Sequence, residues 1–197
     1  MLRSETVLWA GDNPYIRLFD KPDGGHLQTV GSFFRVQYSP AGTGHVLFVS
    51  TSLDTESPAV LCLSDNEALA RFLFSAIAHR FTGFDGILAP DQLQVTRAEF
   101  TSDQSPTSLI ERARSTDTVV ELGWHDIGSP LYVELVHGKL PYRLFSLFIP
   151  AKAGTVTIDG VNMAGVAVAD NLEGRLGTTA CLALAETWVA EPDDGAQ

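Results

Sequence analysis

Hydrophobic positions in the first third of the chain recur with a period of two. Residues 33–38 alternate, with Phe34, Val36 and Tyr38 set against Arg35 and Gln37. A strand with one face on a core has this pattern, because successive side chains point to opposite faces. Residues 45–52 and 59–63 follow, rich in Val, Leu and Phe. Turn chemistry separates the runs: Gly11-Asp12-Asn13-Pro14, Asp20-Lys21-Pro22-Asp23-Gly24-Gly25 and Ser39-Pro40-Ala41-Gly42-Thr43-Gly44. The reading is an antiparallel meander.

The period then changes. Leu69, Phe72, Leu73, Ala76 and Ile77 fall at helical spacing. Ser64-Asp65-Asn66-Glu67 before them has the form of a capping box, in which Ser64 and Glu67 satisfy each other's amides. This predicts a helix over 65–80 that covers an apolar sheet face. A shorter helix is expected over 106–114, capped by Ser105 with Pro106 in its first turn.

Strand signals return at residue 118. Residues 119–126 and 131–137 flank Ile127-Gly128-Ser129-Pro130, which reads as a turn. Gly138-Lys139 joins the second of these to 140–149 and suits a tight hairpin; Asp159-Gly160 is a strong hairpin signal between 155–158 and 161–164. In residues 178–189 the Ala and Leu content favours helix. The alternation of Leu182, Leu184, Glu186 and Trp188 favours a strand, and the neighbouring hairpins tip the reading that way. The expected fold is mainly β: an antiparallel β-barrel or strongly bent sandwich of about ten strands with one covering helix and the short helix. Residues 1–191 are expected to form a single domain, with 192–197 a frayed polar tail.

Composition narrows the function classes. The chain has 197 residues, 45% of them hydrophobic, and a formal charge of −11. Lys and Arg are nowhere concentrated, so a nucleic-acid partner is not expected. There is no apolar run of membrane-spanning length, and Glu5 stands where the core of a secretory signal would begin. The expectation is a cytoplasmic protein without a membrane partner. Cys62 and Cys181 each lie in an apolar run and read as buried, reduced thiols. Phosphate-loop, dinucleotide, nucleophile-elbow and zincin motifs are absent, so neither a metal nor another cofactor is expected.

One constellation remains. If 127–130 and Gly138-Lys139 are both tight turns, His125 faces Tyr132 and Glu134 faces Arg143. Glu121, His125, Tyr132, Glu134, Arg143 and Phe145 then share one face. Trp124, Leu135 and Leu144 share the other and are buried together, with His137 on that side. As a barrel interior, the polar face has catalytic candidates in His125, Glu134, Arg143 and Glu121 and ligand contacts in Tyr132 and Phe145. As an outer face it is a solvated surface with a weak Glu134–Arg143 ion pair. Glu186 and Trp188, side by side in an apolar run, are separate ligand-binding candidates, since a buried carboxyl needs a partner or a raised pKa. Lys139 reads as a solvated hairpin residue.

The functional expectation is a small-molecule-binding β-barrel. In enzymatic form it would be a cofactor-free isomerase, cyclase or lyase using acid–base chemistry on an apolar or carbonyl-containing ligand. The alternative is a non-catalytic interaction or assembly module that presents a sheet face or edge. A small-molecule ligand is the expected partner, with a homo-oligomer left open.

Overall fold

Both faces of the strand at 45–52 are buried, which is why its sequence is an unbroken apolar run rather than an alternation. The computed structural model describes residues 6–53, 55–56, 58–136, 142–172 and 174–190. In chain order the first elements are β1 (Val7–Asp12), β2 (Tyr15–Lys21), β3 (Gly24–Tyr38), β4 (Gly44–Thr51), β5 (Ala59–Ser64) and α1 (Glu67–Ala76). Then come β6 (Thr96–Arg97), β7 (Glu99–Gln104), β8 (Ser108–Arg114), β9 (Val119–Ile127), β10 (Leu131–Val136) and β11 (Tyr142–Ile158). The last are β12 (Val161–Asn162), β13 (Ala169–Leu172), β14 (Arg175–Thr178) and β15 (Ala180–Ala190).

One large sheet runs in the order β6-β5-β4-β3-β1-β15-β11-β9-β8-β7. All its pairings are antiparallel except β5 with β6. It closes on itself because β3 and β15 are joined twice, once through β1 and once through β2. The mainly β, antiparallel barrel expected from the sequence is therefore present. The strand at 178–189 is also present, as β15.

Two cores lie on opposite sides of β3 and β4. Phe34, Val46 and Phe48 pack with Leu69, Leu73 and Phe74 of α1. Phe33, Leu47 and Val49 point the other way, toward Leu122 and Trp124 of β9 and Val156 of β11. Burying both faces stabilises a sheet by roughly 25 cal/mol per Å² of apolar surface.

The helix begins later than the capping box implied. Its N-cap is Asn66, whose Oδ1 accepts from the Leu69 amide at 3.2 Å. The Ser64 hydroxyl instead donates to the His45 carbonyl at 2.8 Å and accepts from the Asn66 amide at 2.9 Å. Ser64 is a strand residue, and its hydroxyl serves the strand end. Asn66 Nδ2 also donates to the carbonyls of Ala41 and Thr43, at 3.3 and 3.0 Å. Asn66→Ala is therefore expected to lower unfolding free energy by about 1–2 kcal/mol in urea titration, the upper range for a lost cap.

Two further expectations are corrected. Residues 106–114 hold no helix; Ser108–Arg114 is β8, paired with β7 and β9. Its inward positions are Leu109, Glu111 and Ala113. A carboxylate among them masked the alternation, and Ser105-Pro106 supplied a false cap. Nor is 127–130 a turn. β9 and β10 both run antiparallel to β11, with Ile127 opposite Ala151 and Leu131 opposite Phe148. They are collinear, and the Gly128-Ser129-Pro130 break inserts an extra residue between them, held by Gly128 N–H donating to the Pro150 carbonyl at 2.8 Å. Trp124 accordingly belongs to one core, and Leu144 and Leu135 to the other. His137, Gly138, Lys139 and the tail at 192–197 lie outside the described residues. Asp159-Gly160 does form the expected hairpin: both residues have positive φ, 51° and 80°, and Ile158 lies opposite Val161.

Candidate functional site

The side chain that best marks a site is aimed by an irregularity in β15. Phe145 of β11 lies opposite Thr187, but Leu147 lies opposite Leu184, so β15 carries one extra residue between them. Ala185 takes up the excess at φ 49°, in the left-handed region. The extra residue reverses the facing of everything beyond it. Before it, Cys181 and Ala183 face the helix-side core while Leu182 faces the other. After it, Trp188 faces the helix-side core, and Glu186 turns inward with it.

Glu186 is 2% exposed. Its Oε1 accepts from Trp188 Nε1 at 2.6 Å. Burial pushes its carboxyl up to about 8; the Asp12 carboxylate adds to the rise, while hydrogen bonding from Trp188, Asn13 and Ser146 opposes it. Burial thus favours the protonated form near neutral pH.

The carboxyl forms part of the wall of a cavity of about 300 Å³. Its apolar lining includes Phe81, Phe84, Leu144, Phe148 and Trp188. Its polar lining includes Asn13, Tyr15, Arg17 and Ser32. Asn13 and Ser32 are both buried, and the Ser32 hydroxyl donates to Asn13 Oδ1 at 2.8 Å. Burial, and then the neighbouring Cys181, push the Tyr15 phenol up, so it stays a donor. Arg17 is paired with Asp170 of β13. Its buried Nε–H has no hydrogen-bond partner among the described residues. An apolar enclosure with a few convergent polar groups is the usual form of a small-molecule site.

The other sequence candidates fall elsewhere. Glu121 pairs with Arg112. His125 lies opposite Ala153, with its Nε2 3.4 Å from Thr155 Oγ1. Glu134 lies opposite Phe145, eight residues away along the same strand (153 − 145 = 8). The predicted face is therefore split between the two halves of β11. Arg143 lies opposite Val136 rather than Glu134, a register shifted by two residues, which preserves facing. Glu134 and Arg143 still meet, at 3.6 Å, with side chains 46% and 41% exposed. Tyr132 is 58% exposed. This is an outer face. Of the proposed ligand contacts, Glu186 and Trp188 line the cavity. Asn13, Tyr15 and Arg17 were missed; Asn13 stood in a stretch that read only as a turn.

A larger cleft of about 640 Å³ lies beside β14, but its ionisable groups, Asp126 and Lys152, are exposed. Among the described residues, no three His, Cys, Asp or Glu side chains converge as a metal site would require.

No family model matches the sequence. No curated protein matches it either. Among solved structures, the chain is similar to an acetoacetate decarboxylase from Legionella pneumophila, with a TM-score of 0.39 and 9% identity over 93% of this chain and 84% of that one. A likeness that distant carries no conclusion about chemistry.

Proposed function

We propose that the protein binds a small carbonyl compound with an apolar body in this cavity, and that Glu186 exchanges a proton with it. The observation that supports this reading is the buried Glu186 carboxyl in an aromatic-lined wall, where burial favours its protonated form. The aromatic groups hold the ligand body and exclude water. Glu186 gives its proton to the carbonyl oxygen, and the resulting carboxylate takes a proton from the adjacent carbon. The ketone becomes its enol and Glu186 ends protonated, so the step is an isomerisation that needs no added reactant. The Arg17 Nε–H, without a partner among the described residues, is a further donor in the cavity lining for the oxygen.

Deuterium exchange at the α-carbon of cyclohexanone, followed by NMR in D2O, tests this. Exchange above the buffer rate is expected with the wild type. Glu186→Gln should reduce that excess about 100-fold, the lower range for a lost acid–base group. Arg143→Ala, on the outer face, should leave it unchanged. Equal exchange by the wild type and Glu186→Gln defeats the proposal.

A second reading, an interaction module, is favoured by one observation. On the outer face of β10 and β11, Tyr132 and Leu147 lie opposite each other and are 58% and 41% exposed. Light scattering of the wild type and Tyr132→Ser would detect self-association through that face.

A further inference from the structure

We propose that Asp12 is the positioning residue of Glu186, itself held in place by Arg35. This rests on the reading of Glu186 as the working group of the cavity. Asp12 ends β1, and its two carboxylate oxygens face in different directions. Oδ1 accepts from the Ala185 amide at 3.0 Å. That amide belongs to the residue that turns Glu186 inward, at a φ that alanine rarely adopts. Asp12 thus clips the irregularity shut one residue before the cavity carboxyl.

Oδ2 accepts from Arg35 Nη1 at 3.2 Å, and the two residues lie opposite each other in the β1–β3 ladder. The other terminal nitrogen of Arg35 donates to Glu111 Oε1 at 2.6 Å, and the Ser102 hydroxyl donates to the same oxygen at 3.0 Å. The Glu111 side chain is only 2% exposed, so it anchors the guanidinium from the far side. The strands are also unusually close here: a Cβ at Gly11 would stand 2.1 Å from the Arg35 carbonyl oxygen. A chain of contacts therefore runs from Glu111 on β8, through Arg35 on β3 and Asp12 on β1, to the Ala185 amide on β15.

The arrangement also places charge. From the elements packed around it, Glu186 meets Asp12 of β1, Asn13 after it, Ser146 of β11 and Trp188 of its own strand; Asp12 is the charged member of that set. Cys181 of β15 is near enough to feel Glu186, and Tyr15, Arg17 and Arg80 line the same cavity. Asp12 disfavours the carboxylate form of Glu186, and Arg35 tempers Asp12. Removing Asp12 or Arg35 should therefore act on Glu186 in opposite directions.

The experiment is a carbon-13 NMR titration of the Glu186 carboxyl in the full ligand-free chain, assigned by its loss in Glu186→Gln. In Asp12→Asn the amide acceptor for Ala185 is kept and the charge removed; the titration midpoint should fall by about one pH unit. In Arg35→Gln it should rise by a similar amount, and Arg35→Lys should restore it. Should Arg35→Gln fail to fold with Glu111 left buried and unpaired, the double variant Arg35→Gln/Glu111→Gln removes both charges, and the rise should persist. Hydrogen exchange of the Ala185 amide should stay slow in Asp12→Asn and become fast in Asp12→Ala. An unchanged midpoint in Asp12→Asn, or movement of both single variants in the same direction, overturns the proposal and reduces Asp12 to a strand-end residue. These readouts use no ligand. Failure of ketone exchange with the titration shifts intact would defeat the functional reading alone.

Discussion

Glu186→Gln should be more stable than the wild type above pH 8 and lose little stability between pH 5 and 8, where the wild type loses several kcal/mol. The sign follows from linkage. A glutamate titrates near 4.5 in the unfolded chain and at about 8 in the fold. Below 4.5 both states hold the proton, and burial of the neutral acid carries no charge penalty. As pH rises, the unfolded chain releases its proton and the folded chain does not, so stability declines by up to about 1.4 kcal/mol per pH unit. The decline ends near pH 8, where the folded carboxyl ionises too. Glutamine keeps the shape and the acceptor for Trp188 but cannot ionise. Urea midpoints for both proteins at pH 5, 6, 7 and 8.5 isolate this residue by difference. Parallel profiles would mean that the carboxyl is not held neutral in the fold.

Phe48→Ala should cost about 3–5 kcal/mol, the usual loss for a fully buried aromatic ring. Phe48 is 0% exposed, and its ring lies 5.8, 5.4 and 6.2 Å from those of Phe34, Phe74 and Phe84. It joins β4 to α1 and to the segment beyond, which carries two aromatic walls of the cavity, Phe81 and Phe84. The loss is a large share of a typical stability of about 5–15 kcal/mol. Guanidinium unfolding measures it, and ketone exchange should weaken in parallel as the cavity wall loosens. A cost below about 1 kcal/mol would mean that helix and sheet are not packed through this ring.

The elements legible from the chain were those whose burial followed a clean period. The stripe from Leu69 to Ile77 marked α1, and Asp159-Gly160 marked its hairpin. Misreadings came where one residue served a purpose that its type does not advertise. Glu111 faces inward because Arg35 and Ser102 receive it, so Ser108–Arg114 lost its apolar alternation and read as helix. Gly128-Ser129-Pro130 has turn chemistry yet only breaks a straight strand. For the site, Glu186 and Trp188 stood out as an acid in an apolar run. Ala185 gave no warning, since alanine has no preference for the positive φ that turns them inward. Tyr15 and Arg17 join the cavity through pairings of β2 with β3 and β15, and Asn13 through the hydrogen bond from its backbone amide to the Ala183 carbonyl, none of which a local pattern specifies.

The double attachment of β15 governs when the fold can form. β15 pairs with β1, β2 and β11, and Val7 lies opposite Val189. On the ribosome, β1 and β2 emerge long before β15, the partner that completes them. High contact order of this kind places folding in the millisecond-to-second range. Through that interval β1 and β2 present unpaired backbone along one edge, and such edges recruit strands from other chains. A nascent chain of this protein therefore carries an aggregation-prone edge until β15 is released to pair with β1 and β2.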